Sequence, residues 1–263
     1  MNITLPKCYR CGNQPCTCAD GCTIYHADCR DVLPLLEAGS VDLVLTDPPY
    51  GHNNNNNNDL IHRWEAALGR GEVREEDARP IANDGAEAND LVRWMFAEAR
   101  RLLAPGCCCC CCCGGGGGPD PQFARWSLWL DETLQFKQMV VWDKGPMGMG
   151  WHYRRSYETV LVAEKPGAKC RWFDDTDKVE NIIRHIPKII PKASDHPTPK
   201  PVELMRHFIV LHSERDQLVI DPFAGAGTTL RACKDLGRRG IGIEIEERYC
   251  EIAARRLEQG VLF

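Results

Sequence analysis

Residues 41–50 read Val-Asp-Leu-Val-Leu-Thr-Asp-Pro-Pro-Tyr. The apolar stretch predicts a buried strand over Val41 to Thr46, stopped by Asp47-Pro48-Pro49 because proline cannot continue a central strand. Such a strand delivers a carboxylate to the sheet edge at which open α/β sheets bind ligands. The prolines stiffen the turn and remove donors while keeping carbonyl acceptors. Asp47 and the Pro48 carbonyl can therefore accept the two hydrogens of an amino group, and Tyr50 can stack on a planar ring. This combination suits an amino-bearing base. The plainer reading is a strand-ending turn with a helix-capping aspartate.

A second motif, Leu-Val-Ile-Asp-Pro-Phe-Ala-Gly-Ala-Gly-Thr-Thr, occupies residues 218–229. A strand here runs into a glycine-rich turn and then a helix. Glycines permit close backbone approach, and a helix N-terminus offers unpaired donors. The third glycine of a dinucleotide fingerprint is missing, which argues against a dehydrogenase. Glu244, at the end of the next strand, is placed to hold two ribose hydroxyls of an adenosyl ligand. The alternative is a tight strand–helix junction with no ligand.

Together with His-Pro-Thr-Pro-Lys-Pro at 196–201, these segments resemble the amino-methyltransferases of DNA. Asp47-Pro48-Pro49-Tyr50 is similar to that family's catalytic tetrapeptide, and Phe223 to Thr229 to its cofactor loop. Residues 25–33 look like the family's segment before the tetrapeptide. The order, catalytic motif first and cofactor loop last, resembles the beta class. The resemblance covers roughly 23–50, 91–164 and 196–257. It implies a Rossmann-like α/β fold with helices on both faces of a seven-stranded, mostly parallel sheet. That sheet would have one antiparallel edge strand and be circularly permuted, with the catalytic half first. It also implies S-adenosylmethionine as cofactor and DNA as partner. The catalytic residues would be Asp47, Pro48, Pro49 and Tyr50. The cofactor would be held by Asp28, Cys29, Asp47, His196, Thr198, Lys200, Asp221, Phe223, Ala224, Gly225, Gly227, Thr228, Thr229 and Glu244. Adenine-N6 is the preferred target. The alternatives are cytosine-N4, an RNA amino group, or a cofactor-binding modification subunit that needs a partner for recognition. By analogy, the setting would be bacterial or phage restriction-modification, and a homodimer is a further expectation.

Two other clusters carry chemistry. Trp151, Tyr153, Arg154 and Arg155 interleave aromatic rings with cations, a pattern suited to base stacking and phosphate contact. Equally, the rings could pack the loop down. Cys8, Cys11, Cys16 and Cys18 could bind one tetrahedral zinc, with Cys22 and Cys29 as competing ligands. The other reading is loose, reduced thiols.

The elements that must position these residues alternate. Strands are predicted at Thr23–His26, Val41–Thr46, Gln138–Trp142, Thr159–Ala163, Leu218–Ile220 and Gly240–Ile245. Helices are predicted at Val32–Leu36, Leu91–Leu103, Phe123–Leu134, Pro201–Leu211, Leu230–Leu236 and Arg248–Leu257. This alternation implies a mostly parallel sheet covered on both faces. Seven consecutive cysteines, Cys107 to Cys113, cannot form a regular disulfide framework, because neighbours on a strand point to opposite faces. They read as a buried central strand in a reducing compartment, with a metal-binding tract as the alternative. Pro105-Gly106 reads as a helix stop and Gly114 to Gly118 as a flexible link.

The domain reading is a cysteine-rich segment at 1–22 and a methyltransferase domain at 23–263. The latter carries an insertion at 52–90, opening on six asparagines, and a short recognition region at 143–195. No run of about 18 apolar residues offers a membrane span, and no secretory signal is evident, so the cytoplasm is expected. The net charge of −5 does not mark a nucleic-acid binder. Between 144 and 206, however, 12 Lys/Arg face 8 Asp/Glu, compatible with a phosphate-facing surface.

Overall fold

A computed structural model of the chain describes residues 4–51, 82–85, 87–113, 122–145, 156–189 and 200–260. Trp151, Tyr153, Arg154, Arg155, His196 and Thr198 lie outside them, as do the glycine link and most of the insertion.

Among the described residues, eight strands form one sheet: β1 (Cys22–His26), β2 (Val41–Thr46), β3 (Leu103–Cys113), β4 (Gln135–Asp143), β5 (Tyr157–Glu164), β6 (Ile182–Ile183), β7 (Leu218–Asp221) and β8 (Arg239–Glu244). Their order across the sheet is β1-β8-β7-β2-β3-β5-β4-β6. The helices are α1 (Cys29–Val32), α2 (Ala88–Leu102), α3 (Gln122–Thr133), α4 (Val202–His212), α5 (Thr228–Leu236) and α6 (Glu247–Glu258).

Two expectations are corrected here. The sheet has eight strands rather than seven, because the two-residue β6 pairs with β4. So short a segment carries no periodic signal. The reversed strand, β5, is not at an edge. It lies between β3 and β4 and is antiparallel to both.

Cys107 to Cys113 fill the inner part of β3, between β2 and β5. Odd-numbered cysteines join the core with α2 and α3 on one face; even-numbered ones join the core with α4, α5 and α6 on the other. Each is at most 1% exposed. Burial raises their thiol pKa values, which keeps them protonated and unreactive.

Pro105-Gly106 does not separate two elements. α2 ends at Leu102 and β3 begins at Leu103, and the pair sits in a bulge. The bulge shifts the β2–β3 register from Val41↔Leu103 to Leu43↔Cys108. Gly106 has φ +80°, and a Cβ there would lie 2.3 Å from the Lys169 carbonyl oxygen. Backbone cannot swing away as a side chain can. Gly106→Ala should therefore destabilise the chain by about 2–3 kcal/mol in urea denaturation. An unchanged midpoint would contradict the packing described.

Candidate active site

β7, β8 and β1 extend one way across the sheet, and β2 and β3 the other. β2 and β7 are thus parallel neighbours at the point where the strand order reverses, where α/β sheets open a crevice at their C-terminal edge. Both motifs end at this crevice, Asp47 after β2 and Asp221 at the end of β7.

Asp221 is 3% exposed and spends both carboxylate oxygens inside the protein. Oδ1 accepts from the Thr46 hydroxyl at 2.8 Å and from the Phe223 amide at 3.1 Å. Oδ2 accepts from the Thr229 hydroxyl at 2.6 Å. One side chain therefore joins the strand before Asp47 to both ends of the glycine-rich loop. Burial pushes its pKa up to about 6, against the pull of these donors.

Asp47 is also engaged. Tyr50 donates its hydroxyl to Oδ1 at 2.5 Å, and Lys200 Nζ lies 2.5 Å from Oδ2. Lys200 Nζ also reaches the Tyr50 hydroxyl at 3.1 Å and Glu158 Oε2 at 3.3 Å. Burial opposes the Lys200 charge, but Asp47 and Glu158 overcome it and raise the ammonium pKa. Glu158 is desolvated too, yet Lys200 and Lys144 hold its carboxyl below the usual range. Lys144 Nζ sits 2.9 Å from Glu158 Oε1, so charges alternate along Asp47, Lys200, Glu158 and Lys144. Glu158 Oε2 is buried, and its partner there is the Lys200 ammonium.

Tyr50 is fixed by more than Asp47. Gln122 Nε2 donates to its carbonyl, and the Trp126 ring lies 6.1 Å from its own, tilted by 47°. Burial and the charges of Asp47 and Glu158 raise its phenol pKa.

At the neighbouring strand end, Glu244 Oε2 accepts from the Gly225 amide and Oε1 from the Glu246 amide, both at 2.8 Å. Burial pushes its carboxyl up to about 7. The Ala27 amide donates to the Glu244 carbonyl, bringing the Asp28 turn to the same edge. Asp28 caps α1 by accepting from the Arg30 amide and pairs with the Arg30 guanidinium. Cys29 is buried beneath it. Ala224 and Phe223 line the loop's inner side, where Phe223 packs on the core. Thr228 accepts from Arg256 at 2.7 Å. Gly227 has φ +74°, and a Cβ there would lie 2.6 Å from Ala253 Cβ, so helix packing already requires this glycine.

The structure thus brings Asp28, Asp47, Lys200, the Phe223–Thr229 loop and Glu244 to one sheet edge. Sequence reasoning missed Glu158, Lys144, Thr46 and Gln122. Reversal of β5 would have pointed to Glu158, since its N-terminal end faces the strand ends of β2 and β7.

A family model described as DNA methylase matches residues 41–255. The chain belongs to this family. The type II methyltransferase M2.MboI of Moraxella bovis is 26% identical to this DNA methylase over 252 residues, covering 90% of the chain and 87% of the relative. The DNA adenine methyltransferase YhdJ of Escherichia coli is 26% identical over 270 residues, covering 90% and 82%. Among solved structures, a complex of M1.HpyAVI with SAM superposes with a TM-score of 0.61 at 27% identity, covering 90% of this chain and all of that one. The cytosine-N4-specific PvuII methyltransferase shares the fold, with a TM-score of 0.67 at 18% identity, covering 92% of this chain and 88% of that one. No helix among the described residues is long and apolar enough to cross a membrane.

Removing Lys200 would leave Asp47 and Glu158 facing each other without their shared cation. Lys200→Met should cost about 3 kcal/mol of stability. The loss should be larger at pH 8 than at pH 5, because the Glu158 pKa rises in the variant and protonation at low pH relieves the repulsion. A loss independent of pH, read by denaturant melts, would contradict the charge chain.

Proposed function

We propose that the chain transfers the methyl group of S-adenosylmethionine to the exocyclic N6 amino group of adenine in DNA. The observation that carries this reading is the junction of the two motifs. Asp47 stands at the end of β2, and the Thr46–Asp221 hydrogen bond holds it beside the glycine-rich loop. The name of YhdJ favours adenine. The succession of a catalytic strand early in the chain and the loop strand β7 late fits a circularly permuted methyltransferase, with residues 1–22 as a separate cysteine-rich segment.

The residues present fit the cofactor. Glu244 is a nearly buried carboxylate at a sheet edge, with two backbone amides fixing its orientation. It would accept from the ribose hydroxyls, Asp28 would face the adenine, and residues 223–229 would lie along the ligand. Bound S-adenosylmethionine would supply an electrophilic methyl group on a sulfonium.

The target amino group is a poor nucleophile because its lone pair is conjugated with the ring. Asp47 and the Pro48 carbonyl would accept its hydrogens and favour the pyramidal, charge-developing nitrogen over the flat ground state, which is differential stabilisation. To do so, Asp47 exchanges the Tyr50 hydroxyl or the Lys200 ammonium for the substrate. When the Tyr50 hydroxyl is the group displaced, Lys200 keeps the carboxylate oriented, and Glu158 keeps Lys200 in place. The base would have to leave the duplex to reach this edge. Trp151, Tyr153, Arg154 and Arg155 are proposed to contact DNA, and His196 and Thr198 to lie along the methionine side of the cofactor.

Asp47→Ala should lower methyl transfer to DNA by at least about 100-fold, read as tritium incorporation. Cofactor affinity, read by calorimetry, should stay within a few-fold. Near-normal transfer by this variant would sink the assignment. Hydroxyl binding needs ionised Glu244, so cofactor affinity should fall as pH drops through about 7. Glu244→Gln should bind more weakly and flatten the profile between pH 6 and 8. A variant that keeps the wild-type pH profile would contradict the role of Glu244.

A further inference from the structure

The N-terminal cysteines lie outside the region matched by the family model, which begins at residue 41. Their geometry has a chemistry of its own. One sulfur from each of Cys8, Cys11, Cys16 and Cys18 falls within 4.8 Å of all the others. Cys8 Sγ and Cys18 Sγ are 4.0 Å apart, and Cys11 Sγ and Cys16 Sγ 3.8 Å. A tetrahedral tetrathiolate with metal–sulfur bonds of about 2.3 Å has sulfurs about 3.8 Å apart. The cluster therefore needs to contract by no more than about 1 Å to close on an ion.

Backbone amides converge on these sulfurs. The N–H groups of Arg10, Cys11 and Ile24 face Cys8, and those of Asn13 and Thr17 face Cys11. The Cys18 amide donates to Cys16 Sγ at 3.5 Å. Amides arranged in this way orient and stabilise thiolates, and such outer contacts are a regular part of metal sites. Four sulfurs this close could ionise together only around a shared cation. Of the two cations adjacent to these cysteines in sequence, Lys7 is exposed and Arg10 is committed to Asp20 through two contacts of 2.7 and 2.8 Å. Cys22 and Cys29 do not compete. Cys22 donates to the Leu230 carbonyl, and Cys29 is buried in the core with α1.

The cluster also has a structural task. β1 is an outermost strand of the sheet, with β8 on one side. On its other side the Tyr9 amide donates to the Ile24 carbonyl at 2.8 Å, so the cysteine segment covers an otherwise open edge. Tyr9 also packs edge-on against His26, and its hydroxyl donates to Glu247 at 3.5 Å. A segment this short has little core of its own, and a metal supplies the missing folding energy.

We propose that Cys8, Cys11, Cys16 and Cys18 bind one structural zinc ion that clamps the N-terminal segment over β1. The full chain, purified without added zinc or chelator, should carry about one zinc per chain by plasma mass spectrometry. Stripped protein given cobalt(II) should show a near-ultraviolet thiolate charge-transfer band and the visible bands of tetrahedral cobalt. Its melting temperature should lie about 5 °C or more below that of the loaded protein. Cys11→Ser with Cys16→Ser should abolish the metal, whereas Cys170→Ser should keep it. If the double variant does not fold, the stoichiometry and cobalt spectrum of the unmodified chain decide. Less than about half an equivalent of zinc with no cobalt–thiolate band would overturn the site. So would disulfides joining Cys8 to Cys18 and Cys11 to Cys16. An iron-loaded chain would overturn the identity of the metal. None of these readouts depends on methyl transfer.

Discussion

The site depends on a hydrogen bond between two residues 175 positions apart, Thr46 and Asp221. β2 and β7 are parallel neighbours, so their ends meet only if the register between them is held. Asp221 holds it from within. It accepts the Thr46 hydroxyl from one strand and the Phe223 amide and Thr229 hydroxyl from the loop that follows its own strand. A carboxylate so deeply buried is costly, which is why its pKa climbs to about 6. Three donors offset part of that cost, and a well-packed aliphatic residue could be as stable. What an aliphatic residue could not do is fix the loop and β2 to one another.

A second constraint is the direction of β5. Antiparallel strands bring their N-terminal ends to the edge at which parallel strands finish. Glu158, near the start of β5, therefore reaches Lys200 and Lys144 beside Asp47. Were β5 parallel to β3, Glu158 would sit at the opposite edge, and Lys200 would have one carboxylate instead of two. The alternating charges keep Asp47 aimed without filling the crevice with like charge. Tyr50 belongs to the same arrangement, since its hydroxyl occupies an Asp47 oxygen.

Much of this was legible in the sequence. Val41 to Thr46 and Leu218 to Ile220 announced strands through continuous apolar runs, and the residues following them announced turns through proline and glycine. Even the seven cysteines read correctly as buried strand, because both faces of a central strand want small apolar groups. Long-range partners were not legible. Nothing local in Glu158 says that it will face Lys200. Nor does Asp221, at the head of a ligand-like loop, reveal that both its oxygens turn inward. Gly227 resembles a ligand-approach glycine, yet Ala253 alone would demand it. β6 was missed because two residues have no period, and the place of β5 because strand direction depends on pairing rather than composition.

The proposed function requires this edge to carry out methyl transfer to an adenine amino group. Nucleoside mass spectrometry tests it most directly, on DNA from a host without adenine methylation that expresses the chain. The intact chain should leave N6-methyladenine in that DNA, and Asp47→Ala should leave none. N4-methylcytosine in its place, or N6-methyladenine that persists in the variant, would contradict the proposed function.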